Sequence, residues 1–391
     1  MLYLHDITLI LPDGLLPDGA VLVEAGRITA VDTAANLPCP EHATAVSGAG
    51  LFLAPGFIDL QLNGAFGHDF TTDPSTIWRV AADLPRYGVT RFLPTIITSP
   101  PETVRHAQAV LAGGRPADTK KGARPCGLHI EGPFFNPAKK GAHNPAYLRL
   151  PSPTAVADWT AANHVALVTL APELDGAGET IRALRQQGVQ VSAGHSLATL
   201  AEAQAGFAAG IGYGTHLFNA MPPLGHREPG LAGALLTSDT ITGIIPDGIH
   251  VHPEMVRLAW QLKKENLNLV TDAMAALGQP PGQYQIGDLA VTVTDTSARL
   301  ADGTLAGSIL ALDTAVQNLI RFTHCTLPEA VTTVTRTPAR LLEKTDQLGQ
   351  IAPGFPADLV WLTAVGEVRR TMVAGEIAYQ SVSLSASQPV S

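Results

Sequence analysis

Two short apolar runs in this chain each end in a histidine: Val191-Ser192-Ala193-Gly194-His195-Ser196, and Tyr213-Gly214-Thr215-His216-Leu217-Phe218-Asn219-Ala220-Met221. A strand that stops at a histidine projects the imidazole into the space at its end. Their separation of 21 positions (216 − 195) fits two successive parallel strands joined by one helix. Upstream, Gly127-Leu128-His129-Ile130-Glu131-Gly132-Pro133-Phe134-Phe135 ends a third run at a carboxylate. Glu131, His195 and His216 are one carboxylate and two imidazoles, a donor set suited to one divalent ion, zinc first, with the fourth position open for water. Asp272, in Asn268-Leu269-Val270-Thr271-Asp272-Ala273-Met274, ends a further run. Beside a metal-activated water it is the group that takes a proton and returns it to a leaving amine; its structural reading is a helix N-cap.

Further polar residues fall at or near such ends. Gln61 and Asn63 follow one run, and Asp247 and His250 follow another. His143 lies in a Gly/Pro-rich loop after Glu131, placed to reach a substrate. Asn219-Ala220-Met221-Pro222-Pro223 offers backbone N–H groups to an anion, and Arg227 in the next loop is a partner for a phosphate. His129 shares a strand face with Glu131 but lies one step deeper, which favours a structural role over ligation.

The elements that must position these groups are legible as eight apolar runs: Gly56–Leu62, Thr90–Thr98, Gly127–Glu131, Val165–Ala171, Val189–His195, Ile211–His216, Ile241–Asp247 and Asn268–Asp272. Amphipathic stretches such as Ser75–Tyr87, Glu102–Leu111, Ile181–Gln187, Thr199–Ala209 and Pro253–Glu265 alternate with them. Eight such units predict an α/β fold, a closed (β/α)₈ barrel over residues 54–348. An open doubly wound sheet lacks the Gly-x-Gly-x-x-Gly after its first strand. Residues 1–53 and 349–391 read as short strands and turns, including a hairpin at Ala25-Gly26, and are expected to join in one small β-sandwich domain; the Ser-rich tail from Ser381 is expected to fray.

With 391 residues, 46% hydrophobic, the chain can bury a large core, and its net charge of −9 with no Lys/Arg run argues against nucleic acid or an anionic membrane as partner. Three cysteines, Cys39, Cys126 and Cys325, form no disulfide framework. The first residues carry neither a basic segment nor a long apolar one. The expectation is a soluble cytoplasmic protein without a signal peptide.

Pro55-Gly56-Phe57-Ile58-Asp59, His129-Ile130-Glu131-Gly132-Pro133-Phe134, Gly194-His195-Ser196, Thr215-His216-Leu217-Phe218-Asn219-Ala220-Met221, Asp247-Gly248-Ile249-His250 and Thr271-Asp272-Ala273 together resemble the amidohydrolase superfamily. Within it they resemble the deacetylases of N-acetylglucosamine 6-phosphate, over essentially the whole chain. The resemblance implies one divalent ion per subunit on Glu131, His195 and His216, with Asp272 as general base and then acid. It also implies sugar contacts from His143 and His250, a substrate contact at Ala142, phosphate contacts from the Asn219-Ala220 backbone and Arg227, and a homodimer with the site near the subunit interface. One departure is expected to matter. Many relatives carry His-x-His where this chain has Gln61-Leu62-Asn63, and amides are poor ligands for a second metal. The readings held against this one are the galacto epimer of the substrate, a deaminase or cyclic amidase, and a metal-free scaffold.

Overall fold

The computed structural model describes residues 1–381; the tail expected to fray lies, beyond Ser381, outside the described residues. Eight parallel strands form the central barrel: β1 (Phe57–Leu62), β2 (Val89–Ile97), β3 (Leu128–Glu131), β4 (Val165–Leu170), β5 (Gln190–Ala193), β6 (Tyr213–Gly214), β7 (Ile241–Ile244) and β8 (Leu267–Leu269). They pair in chain order. The ring closes past β8, where Asp272 N–H donates to Gln61 O at 2.9 Å and Asn63 N–H to Ala273 O at 2.8 Å. β1 is buried at all six positions, as a parallel strand covered on both faces must be. No helix among the described residues is long and apolar enough to cross a membrane.

The connecting helices carry the expected stop and start signals. Leu200–Ala209 begins at a capping box, with the Thr199 hydroxyl accepting from Glu202 N–H while the Glu202 carboxylate accepts from Thr199 N–H. The stretch read as one helix over Ser75–Tyr87 is Ile77–Asp83 flanked by tighter turns at Pro74–Thr76 and Leu84–Tyr87, each with a proline in its first two positions.

Both chain ends meet in one eight-stranded mixed sheet. Leu2–Leu11 pairs with Gly14–Glu24, which turns through Ala25-Gly26, both at positive φ, into Arg27–Thr33. Phe52–Pro55 bridges the halves, lying parallel to Leu2–Leu11 and antiparallel to Leu359–Leu362, beyond which follow Val368–Val373 and Glu376–Gln380. This sheet has its own core, in which Leu4, Leu9 and Leu53 pack with Leu359, Trp361 and Met372.

A third sheet was not foreseen. After β8 the chain makes a three-stranded antiparallel excursion, β9 (Gly282–Ile286), β10 (Leu289–Val293) and β11 (Ala298–Arg299). It packs Ile286, Val291 and Val293 with Ile97, Ala142 and Met274 near the barrel mouth.

The barrel and the end sheet are joined by a part-buried ion pair in which the Asp358 carboxylate is the buried partner. Arg91 on β2 holds Asp358 Oδ2 through Nε at 2.8 Å and Nη2 at 2.7 Å, while Asp358 Oδ1 accepts Ala374 N–H at 2.7 Å. Removing one partner of such a pair strands the other in a dry site. Arg91→Ala is therefore expected to cost about 3 kcal/mol, read as a lowered urea midpoint; an unchanged midpoint would show that Asp358 is solvated.

Candidate active site

The metal-type ligands come from three strand ends. His195 Nε2 and His216 Nε2 lie 3.1 Å apart, and each approaches Glu131 Oε1, at 3.4 Å and 3.2 Å. All three side chains are buried. Among the described residues they form the one cluster of His, Cys and carboxylate groups arranged to hold an ion. The spacing fits a metal: ligands at about 2.0–2.2 Å in tetrahedral array stand about 3.3 Å from one another. The tautomer fits too. His195 Nδ1–H donates to Lys139 O at 2.9 Å, which leaves the Nε2 lone pair facing the cluster. His216 Nδ1 is buried without a partner. Burial opposes ionisation of Glu131, yet the two imidazoles hold its carboxyl well below the ordinary range. Three polar atoms this close need a proton or a cation among them, and the donor set suits a divalent ion.

Local backbone conformation aims these groups. His195, His216 and Asp272 have φ of 50°, 27° and 48°, and Gly132, next to Glu131, has φ of 92°. The sheet ladder cannot continue through a left-handed residue, so β5, β6 and β8 stop two or three residues before the expected ends. β7 stops at Ile244 rather than Asp247, with Pro246 unable to donate to a ladder. Gly194 lets the chain turn close to β6: a Cβ there would stand 2.3 Å from Thr215 Cγ2.

Asp272 sits beside the cluster on a pair of amides. Its Oδ1 accepts from Asn63 Nδ2 at 2.7 Å and from Gln61 Nε2 at 3.2 Å. The same Gln61 Nε2 donates to Glu131 Oε1 at 2.7 Å, and Thr215 Oγ1 donates to Gln61 Oε1 at 2.8 Å. Gln61 and Asn63 thus use their N–H groups to hold two carboxylates in place. Burial, reinforced by the Glu131 charge, pushes the Asp272 carboxyl up to about 6. His129 lies beneath the cluster: its Nδ1–H donates to Leu60 O at 3.1 Å, so its Nε2 accepts from Thr169 Oγ1 at 2.7 Å.

A cavity of roughly 430 Å³ opens above the cluster and is lined by Glu131, His195, His216 and Asp272 together with Ala142, His143, Asn219, Ala220 and His250. This volume suits a small-molecule ligand. His143 is buried, and Thr98 N–H donates to its Nδ1 at 3.3 Å. Burial pushes its pKa down to about 3, so the neutral ring carries its proton on Nε2 and can only donate from there. His250 Nδ1 is held by Asp247 Oδ2 at 2.6 Å. Arg227 is not among the lining residues; it is exposed on the loop after Met221.

Residues that sequence reasoning passed over also line the cavity: Lys139 before His143, Ile286 and Arg299 from the excursion, and Thr304, Leu305 and Gly307 from the segment after it. The signal for the excursion was present. Gly287-Asp288 is a two-residue turn with Ile286 opposite Leu289, and the flanking runs alternate in burial.

The model of the Amidohydrolase family matches residues 52–378. N-acetylglucosamine-6-phosphate deacetylase of Mus musculus is 41% identical over 350 residues, covering 85% of this chain and 84% of that one. N-acetylgalactosamine-6-phosphate deacetylase of Escherichia coli O157:H7 is 36% identical over 383 residues, covering 95% and 97%. Among solved structures, an N-acetyl-D-glucosamine-6-phosphate deacetylase mutant from Mycobacterium smegmatis, in complex with N-acetyl-D-glucosamine-6-phosphate, superposes with a TM-score of 0.87 at 32% identity over 97% of this chain and 99% of that one. With its barrel, its strand-end ligand cluster and these relatives in agreement, the chain belongs to the amidohydrolase family.

Proposed function

We propose that the chain hydrolyses the acetamide of N-acetyl-D-glucosamine 6-phosphate, consuming one water and releasing D-glucosamine 6-phosphate and acetate. The observation that carries this reading is the convergence of Glu131, His195, His216 and Asp272 on one cavity that also meets the Asn219-Ala220 turn. A divalent ion, zinc in this reading, held by Glu131, His195 and His216, supplies Lewis acidity that makes a water nucleophilic near neutral pH and polarises the amide carbonyl.

The chain's own groups do the rest. Asp272 accepts a proton from the attacking water and delivers it to the amide nitrogen as the C–N bond breaks. Its pKa of about 6 suits that exchange, because a base poised near the working pH both holds and gives a proton readily. His143 Nε2–H donates to the carbonyl oxygen as negative charge grows on it. His250, fixed through Nδ1 by Asp247, turns Nε2 to a sugar hydroxyl, and Ala142 lies against the sugar. The Asn219-Ala220 backbone receives the phosphate. We further propose a cytoplasmic homodimer with the site near the subunit interface, in which exposed Arg227 meets a phosphate. The galacto epimer is a second substrate reading, favoured by the name of the Escherichia coli relative.

Asp272→Asn keeps the amide-supported geometry but cannot take a proton. It is expected to retain bound metal and lose about 10³-fold or more in kcat; near-normal turnover would remove Asp272 from the reaction. Chelation of the wild-type protein should abolish release of free amine from N-acetylglucosamine 6-phosphate and added zinc should restore it, with the galacto epimer assayed beside it. The raised carboxyl also sets the sign of the pH dependence. Asp272 is protonated below its pKa, which burial raises, so kcat/KM should fall as pH drops from neutral into the acid range. A rate that climbs from pH 7 to pH 5 would contradict this.

A further inference from the structure

We propose that Lys139 is a specificity-determining residue, a cation that reaches the phosphate of the substrate from the cavity wall, in addition to the exposed Arg227; this rests on the reading above. Lys139 and Arg299 are the only Lys or Arg side chains among the lining residues of the cavity. They are placed differently. Arg299 spends Nε on Ser297 Oγ at 3.3 Å and Nη1 on Gly303 O at 2.8 Å, both within the excursion. Lys139 Nζ donates to Met221 O at 2.9 Å, which seats its ammonium on the turn that carries Asn219 and Ala220.

That turn has the form of an anion cradle. Phe218 and Ala220 are left-handed, with φ of 75° and 51°, and such alternation curls successive N–H groups towards one point. Asn219 N–H is used by His216 O at 3.0 Å, while Ala220 N–H donates to no group among the described residues. One residue on from Ala220, the Lys139 ammonium sits on Met221 O at 2.9 Å with two of its three donors left. The main chain of Lys139 is fixed independently of its side chain. Its N–H donates to Asn136 O at 2.8 Å, and its carbonyl takes His195 Nδ1–H at 2.9 Å. One residue therefore orients a metal-type ligand with its backbone and is available to the phosphate with its side chain.

The two roles separate in an experiment on full-length, zinc-loaded protein. Lys139→Met and Lys139→Arg are compared with wild type for metal content, for kcat and KM on N-acetylglucosamine 6-phosphate and unphosphorylated N-acetylglucosamine, and for calorimetric binding of glucosamine 6-phosphate. The expected result is a KM on the phosphorylated sugar and a product dissociation constant each weakened roughly 10- to 100-fold in Lys139→Met, the scale of a lost hydrogen bond to a charged group. Preference for the phosphorylated sugar collapses by the same factor, metal content holds, and Lys139→Arg recovers most of the loss. Equal losses on both sugars, or a fall in kcat with KM unchanged, would assign Lys139 to His195 alone and overturn the proposal, as would product binding that is absent or insensitive to Lys139→Met. Wild-type protein that binds the product but does not deacetylate the phosphorylated sugar would sink the proposed reaction and leave the Lys139 assignment to the binding data.

Discussion

Everything in this molecule is subordinate to keeping three electron-rich atoms, Glu131 Oε1, His195 Nε2 and His216 Nε2, between 3.1 and 3.4 Å of one another. Such a cluster repels itself unless a positive charge sits in it. It must therefore be held by a frame stiffer than the repulsion, and a parallel barrel is such a frame. Ser192 pairs with Tyr213 across β5 and β6. His195 and His216 each lie three residues beyond that pair, so both imidazoles leave the barrel at one level. The ladder continues from Ser192 through Thr169 to Glu131, which sets the carboxylate against them.

The frame alone does not aim the side chains. That is done by a break in each strand. Left-handed backbone at His195, His216 and Asp272 stores roughly 1–3 kcal/mol of strain apiece, and packing around the barrel mouth must offset it. The amides of Gln61 and Asn63 complete the arrangement. They donate N–H groups to Glu131 and Asp272 and so tie the two carboxylates to the end of β1.

The barrel was readable from the sequence because buried parallel strands must be short apolar runs, and because polar residues at their ends had no structural reason to recur. The four residues proposed as ligands and base, Glu131, His195, His216 and Asp272, stood out at run ends for the same reason. The shape of the mouth was not. Whether His195 continues a strand or leaves it depends on a φ angle that no residue type announces, since non-glycine residues take it only under tertiary constraint. The excursion at Gly282–Arg299 was lost because its short strands bury only one face and expose the other, a weak pattern beside the fully buried runs of the barrel. Lys139 was hidden by composition, as one of two adjacent lysines in a loop whose histidine drew the attention.

The end sheet bears on how the molecule is made. Phe52–Pro55 finds one neighbour in Leu2–Leu11 and the other only in Leu359–Leu362. During synthesis the first strands can form a meander among themselves, but Leu4, Leu9 and Leu53 wait, with an open edge and an unfilled core, until Leu359, Trp361 and Met372 leave the ribosome. More than 300 residues of barrel lie between these partners by position in the chain. An apolar edge exposed for that long invites pairing with other nascent chains, so the N-terminal strands are where a holdase chaperone would be needed and where a stalled or truncated product would aggregate first.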